Sequence, residues 1–194
     1  SGFSSSDILT IDGHGEDETC FIGNGLNKKI FRNKSIVYPH SVGLFYGTFT
    51  DYLGFKADSD EWKVMALSSH DKHNQFDRKI GKIYSFYNGK FEMDLSYFNY
   101  YTFDRQKNFF SKKFVELFGP PRKKNEKILI QHRQLASAMQ RHFEMIVIRL
   151  LKLLKQKSNS ENLILGGGAA MNCVFNGKLD KNKIFKNSHI SYAP

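Results

Sequence analysis

The chain has 194 residues, a net charge of +10 and 40% hydrophobic residues, with Phe 18, Tyr 9 and Pro 4. This composition excludes a disordered chain and allows one domain, or one lobe of a larger one. No window reaches the roughly 18 apolar residues that a membrane span needs. The first ten residues lack the basic region and apolar run of a secretory signal, so a soluble, cytoplasmic protein is expected. Cys20 and Cys173 are far apart with no metal spacing, which suggests a reducing compartment and buried or neutral thiols. The lysines are scattered, often beside asparagine, as in Lys107-Asn108 and Lys124-Asn125. That pattern suits solvated faces and disfavours nucleic acid as a partner.

Residues 7–12 (DILTID) read as a short apolar strand ending on the carboxylate of Asp12. Gly13 to Glu16 then turn the chain. An Asp at a strand end beside glycines can hold a metal, a water or a substrate hydroxyl, or bond its own backbone in an Asp-Gly turn. Residues 18–23 and 29–37 read as two further strands, with turn signals at Gly23-Asn24-Gly25 and Asn33, giving a β-meander. Residues 41–53 follow Pro39 as a helix with Leu44, Phe45, Phe49, Tyr52 and Leu53 at helical spacing and Ser41 as N-cap. Residues 55–67 give a polar turn and a short helix carrying Glu61, Trp62 and Lys63. Trp62 is expected to pack.

Residues 68–121 are the least decodable part. They hold an aromatic block whose Asn88-Gly89 pair signals a hairpin between 84–87 and 90–95, with the aromatics expected to pack on a neighbouring lobe. His70 and His73 make a weak metal signal. Residues 109–118 read as a short helix. The longest helix is expected over 128–157, with a stripe from Leu135 to Leu154 at steps of three and four and with His132 and His142 at the surface. Residues 163–165 form an apolar strand that runs into Gly166, Gly167 and Gly168, and a helix is expected from Ala169. Such a turn admits a nucleotide or another anion close to backbone N–H groups, or is only a tight strand-to-helix turn. A last strand is expected over 184–192. The order fits an α/β domain with a mixed sheet and helices on its faces.

Taken together, LTIDGHGE (9–16), the stretch from Tyr38 to Leu67, LFGPPR (117–122), the long helix and LILGGGAAMNCVFNGKL (163–179) resemble the O-carbamoyltransferases of the nodulation-protein and antibiotic type. The resemblance implies a ribonuclease-H-like lobe of the actin, sugar-kinase and chaperone-ATPase fold, with an insertion at about 68–127 in a single partial domain. It implies ATP and carbamoyl phosphate as substrates, carbamoyl-adenylate as the intermediate, and a small-molecule acceptor hydroxyl on a sugar or natural product. By the same resemblance Asp12 lies near the acceptor and phosphates, with Gly13, Gly15 and Glu16 beside it. Glu61 and Lys63 face the nucleotide, and Gly166, Gly167, Gly168 and Asn172 form the adenosine turn.

The departures from the family pattern shape further expectations. Asp60 stands where the family usually has Gly, and Ala66-Leu67-Ser68 replaces Gly-Leu-Ala. No His-x-x-x-His pair occupies a matching place, so an iron-type divalent metal is expected only in the complete enzyme. The chain is expected to be the second lobe of the family's large domain and inactive alone. It would lack a first lobe and an adenylate-forming domain, and could self-associate through an exposed cleft face. A non-enzymatic binding lobe and a tRNA threonylcarbamoyl-transfer relative are the alternatives.

Overall fold

The computed structural model describes residues 1–69, 75–87, 89–102 and 108–191. His70, His73 and Asn88 lie outside the described residues. The chain divides into two compact units, one made of Ser1–Gly43 with Met145–Pro194, the other of Leu44–Glu144.

In the first unit, among the described residues, a five-stranded sheet has the order β3-β2-β1-β6-β7. Strand β1 (Ser5–Ile11) pairs antiparallel with β2 (Glu18–Leu26), and β2 pairs antiparallel with β3 (Lys29–Val37). This is the expected meander. On its other side β1 pairs parallel with β6 (Asn162–Gly166), which pairs parallel with β7 (Asn187–Ile190). A strand flanked on both sides is shielded along its length, and Leu9, Ile11, Leu163 and Leu165 are buried. The last turns of α5 (Ile130–Gln156) bury Ile146, Val147, Leu150, Leu151 and Leu154 in this unit. No helix among the described residues is long and apolar enough to cross a membrane.

Two expected turns in the meander are not turns. Gly23, Asn24 and Gly25 all lie within β2, and the chain reverses at Asn27 and Lys28, which have φ of 47° and 67°. Two left-handed residues in a two-residue loop match the twist of the flanking strands, and Asn tolerates that conformation best after Gly. Gly23 serves close packing instead, since a Cβ there would stand 2.3 Å from the Phe31 carbonyl oxygen. Asn33 is the extra residue where the pairing shifts between Ile22 and Gly23, so it marks a bulge.

The second unit has an aromatic core. Helix α1 (Val42–Tyr52) supplies Phe45, Phe49 and Tyr52, and α4 (Lys112–Phe118) supplies Phe114 and Phe118. Their rings meet at centroid distances of 4.5 to 5.6 Å, several of them edge-on, the arrangement that the ring quadrupole favours. The antiparallel pair β4 (Tyr84–Tyr87) and β5 (Lys90–Met93) adds Phe91, whose ring meets Phe45 edge-on. Tyr84 and Phe91 of the aromatic block thus pack inside their own unit, while Tyr87 is exposed. Helix α2 (Glu61–Ser68), the single turn α3 (Asp77–Ile80) and the first turns of α5 also belong to this unit.

Three side chains depart from expectation. Trp62 is 61% exposed, because α2 buries Val64, Leu67 and Ser68 on its other side. His132 and His142 are buried. The His132 ring accepts the Leu129 N–H at 3.0 Å, and burial followed by the charge of Arg122 holds its pKa below the usual imidazole range. His142 shares a 2.8 Å hydrogen bond with the Tyr84 hydroxyl. Each polar ring enters the interior because a specific partner meets it there.

Candidate functional site

Of the residues singled out from the first unit, Asp12 and Gly166 to Gly168 meet at the carboxyl ends of β1 and β6. The pairing of these strands ends at Thr10 opposite Gly166, and both chains leave the sheet there side by side. In a sheet with parallel neighbours, that end is where backbone diverges and a ligand has room.

Asp12 follows the last residue of β1 and is half-buried. Its N–H donates to the Thr19 carbonyl at 2.8 Å. Its carboxylate Oδ1 accepts the Gly13 N–H at 3.0 Å. Among the described residues none bonds Oδ2. The carboxylate is thus half-committed to its own turn, with one oxygen left for a proton or a hydroxyl.

The three glycines have different reasons to be glycine. Gly167 has φ of +85°, and a Cβ there would stand 2.3 Å from the Ile11 carbonyl oxygen, so the crossing of the two chains demands it. A Cβ on Gly166 would meet only the Thr10 methyl at 3.5 Å. Gly168 is exposed, and its Cβ would meet one atom within 4 Å, Asp12 Oδ1 at 3.3 Å. Its missing side chain leaves the Asp12 carboxylate uncovered.

The expected helix at Ala169 begins later. Gly168–Met171 is one 3-10 turn, and α6 runs over Cys173–Leu179. Asn172 caps it, its side-chain oxygen accepting the Phe175 N–H at 2.9 Å while the residue is buried. The N-terminus of α6 therefore meets a cap, and Cys173 at its start is exposed while Cys20 is buried. Gly15 is needed by its turn, where a Cβ would stand 2.0 Å from the Glu18 carbonyl oxygen. Glu16 is exposed in a shallow cleft of about 350 Å³ with Asp17, Glu18 and Arg32, the last two paired at 2.6 Å.

Glu61 and Lys63 belong to the second unit, on the first turn of α2. Glu61 accepts the Asp58 N–H at 2.8 Å, and burial, with the nearby Asp58 and Asp60 adding to it, pushes its carboxyl up. Lys63 pairs with Asp60 at 2.8 Å and lies 5.3 Å from the Trp62 ring centroid. The Lys63 side chain, followed by the Lys56 N–H, holds the Asp60 carboxyl below its usual range. Asp60, where the resembling family has Gly, thus gives Lys63 an internal partner.

Two residues of the site escape a reading by sequence alone: Ser41, expected only as a helix cap, and Thr19, which carries no motif. Ser41 is fully buried, with its hydroxyl 3.0 Å from the Asp12 carbonyl oxygen and 2.8 Å from that of Gly13. The serine in the Tyr38-Pro39-His40-Ser41 stretch carries the signal, but a local reading stops at the cap. Among the described residues no group of three or more His, Cys, Asp or Glu side chains could hold a metal ion.

The family model described as carbamoyltransferase N-terminus matches residues 1–194. The chain is 36% identical over its whole length to the uncharacterized protein sll1178 of Synechocystis sp., covering 31% of that protein. It is 28% identical over its whole length to Nodulation protein NolNO of Sinorhizobium fredii, covering 26% of it. With Nodulation protein NolO of Bradyrhizobium diazoefficiens the identity is 27%, again over the whole chain and 33% of the relative. The chain thus spans about a third or less of the length of these curated relatives.

Proposed function

Because the chain belongs to the carbamoyltransferase N-terminus family, we propose that Asp12 serves carbamoyl transfer from carbamoyl-adenylate to an acceptor hydroxyl on a sugar or natural product. One observation carries the reading: a half-exposed carboxylate, its Oδ2 unbonded among the described residues, stands against a side-chain-free Gly168 at the ends of two adjacent parallel strands. The acceptor oxygen attacks the carbamoyl carbon, its proton passes to Asp12, and the bond from that carbon to the phosphate oxygen breaks. AMP leaves with the electron pair, so charge and atoms balance. A carboxylate held to its own turn at one oxygen is oriented for such proton transfer.

The fold that fits this reading is a ribonuclease-H-like lobe. A three-strand meander extended by two parallel strands on the far side of β1 supports it. Carbamoyl phosphate and ATP are the proposed sources of the carbamoyl-adenylate. Glu61 and Lys63 are proposed nucleotide contacts on the family pattern alone. The half-buried Glu61 carboxylate suits a ribose hydroxyl better than the Asp60-paired Lys63 suits a phosphate.

The test supplies the natural protein with carbamoyl phosphate, ATP and a panel of hexoses and hexosamines, and detects carbamate product by mass spectrometry. Asp12→Asn keeps the shape and removes the base, and is expected to lower turnover by about 10²-fold or more. Wild-type turnover in Asp12→Asn would remove Asp12 from the chemistry.

A further inference from the structure

We infer that Ser41 and Thr19 are positioning residues that aim the Asp12 carboxylate, an inference that rests on the proposed role of Asp12. The β1 ladder ends at Ile11, so the direction of Asp12 is set by what holds its backbone. Its N–H is held by the Thr19 carbonyl at 2.8 Å. Its carbonyl oxygen, and that of Gly13, face the single hydroxyl of Ser41 at 3.0 and 2.8 Å. A serine hydroxyl has one hydrogen, so the two carbonyls share or alternate it. The peptide on each side of the Asp12 α-carbon is therefore fixed by a different segment of chain.

Thr19 ties those two segments together. It is the residue skipped where the β2–β3 pairing shifts between Glu18 and Cys20. A bulge of this kind re-aims a side chain. Here the Thr19 hydroxyl stands 2.6 Å from the His40 carbonyl oxygen and 3.3 Å from that of Ile36, and the residue is buried. One threonine thus holds the Asp12 N–H with its own carbonyl and, with its hydroxyl, the residue next to Ser41. Gly43 closes the arrangement. A Cβ there would stand 2.5 Å from the Asp12 carbonyl oxygen and 2.6 Å from the Gly13 nitrogen. Among the described residues the Gly13 N–H alone orients the carboxylate directly, so the direction of Oδ2 follows from this clamp.

The experiment measures kcat, KM for ATP and folded fraction in the natural protein, using the carbamoyl phosphate, ATP and hexose–hexosamine assay. Thr19→Val keeps the shape and removes the hydroxyl, Thr19→Ser keeps the hydroxyl, and Ser41→Ala removes the other one. The expected result is a fall in kcat per folded molecule of about tenfold in Ser41→Ala and Thr19→Val. KM for ATP stays unchanged and Thr19→Ser is restored. Values of kcat per folded molecule within about twofold of wild type in both variants, beside an inactive Asp12→Asn, would overturn the clamp and leave the Asp12 reading standing. A fully active Asp12→Asn would sink that reading itself. If Ser41→Ala fails to fold, the Thr19 pair decides alone. The Asp12 carboxyl carbon resonance, assigned by its loss in Asp12→Asn, tests the clamp without an acceptor. It moves in Thr19→Val if the clamp aims it, and keeps its wild-type position if the hydroxyl only stabilises the turn.

Discussion

Asp7 lies within β1 and Asp12 just past its end, and the two have opposite fates. Asp7 is fully buried, and among the described residues neither of its oxygens has a hydrogen-bond partner. Burial pushes its carboxyl up, while the Ser158 side chain and the Lys155 charge pull the other way. Asp12 is half-exposed, with one oxygen on its own turn and the other unbonded among the described residues. The difference is one of position along the sheet. Within β1 the Asp7 side chain is enclosed, whereas just past its end the glycine turn after β6 leaves the Asp12 carboxylate uncovered. A carboxylate is useful for chemistry where its charged form is tolerated, and costs stability where it is not.

The largest expected contrast is in turnover. Asp12→Asn loses it, while Asp7→Asn keeps it per folded molecule. Equal loss in both, measured by product formation against folded fraction, would erase the distinction.

The glycines sharpen the same contrast next. Gly167→Ala places a side chain at positive φ against the Ile11 carbonyl, and is expected to cost at least about 1–2 kcal/mol in denaturant unfolding. Gly168→Ala needs a shift of a few tenths of an ångström from Asp12 Oδ1 only. It is expected to unfold like wild type and to lose turnover about tenfold. The reverse pattern would mean that Gly168 serves the fold and Gly167 the site.

A smaller effect concerns the titration of Asp7. The folded Asp7 holds its proton above 3.8, where the unfolded residue releases it. The folded state then binds more protons than the unfolded one, so stability falls as pH rises above about 4. Asp7→Asn is expected to melt several degrees higher than wild type at pH 8, with the gap closing towards pH 4. A gap that is the same at both values would show that Asp7 is not held protonated.

The smallest effect concerns a third carboxylate built like Asp12, with one oxygen on a backbone N–H of its own turn. Glu61→Ala is expected to weaken ATP binding by about threefold to tenfold in calorimetry. Unchanged affinity would leave Glu61 a structural bond to Asp58 and detach α2 from the nucleotide.

The legible parts of this chain are those with a local cause. The apolar runs 7–12 and 163–165 announce themselves by composition and the three-and-four stripe of α5 by period. The triple glycine marks a turn, and the matched segments point to the carbamoyltransferase pattern that the family comparison bears out. Gly23-Asn24-Gly25 misleads because a glycine needed for close packing looks the same in sequence as one needed for a turn. The polar-sided histidines mislead because helical period does not show that Tyr84 waits for His142 or that the Leu129 N–H needs His132.

By itself, then, the sequence determined which segments become strand and helix, because backbone preference and side-chain period act over a few residues. It also determined that a carboxylate follows the first strand and that glycines follow the sixth. Only the tertiary structure decided that these two ends lie side by side, because parallel pairing joins Asp7–Thr10 to Leu163–Gly166 across more than a hundred residues of chain. It alone decided whether Asp7 or Asp12 is enclosed, which glycine the backbone crossing demands, and that Ser41 faces the Asp12 turn. Each depends on atoms brought together from distant segments, where distance in space and access to water set the chemistry.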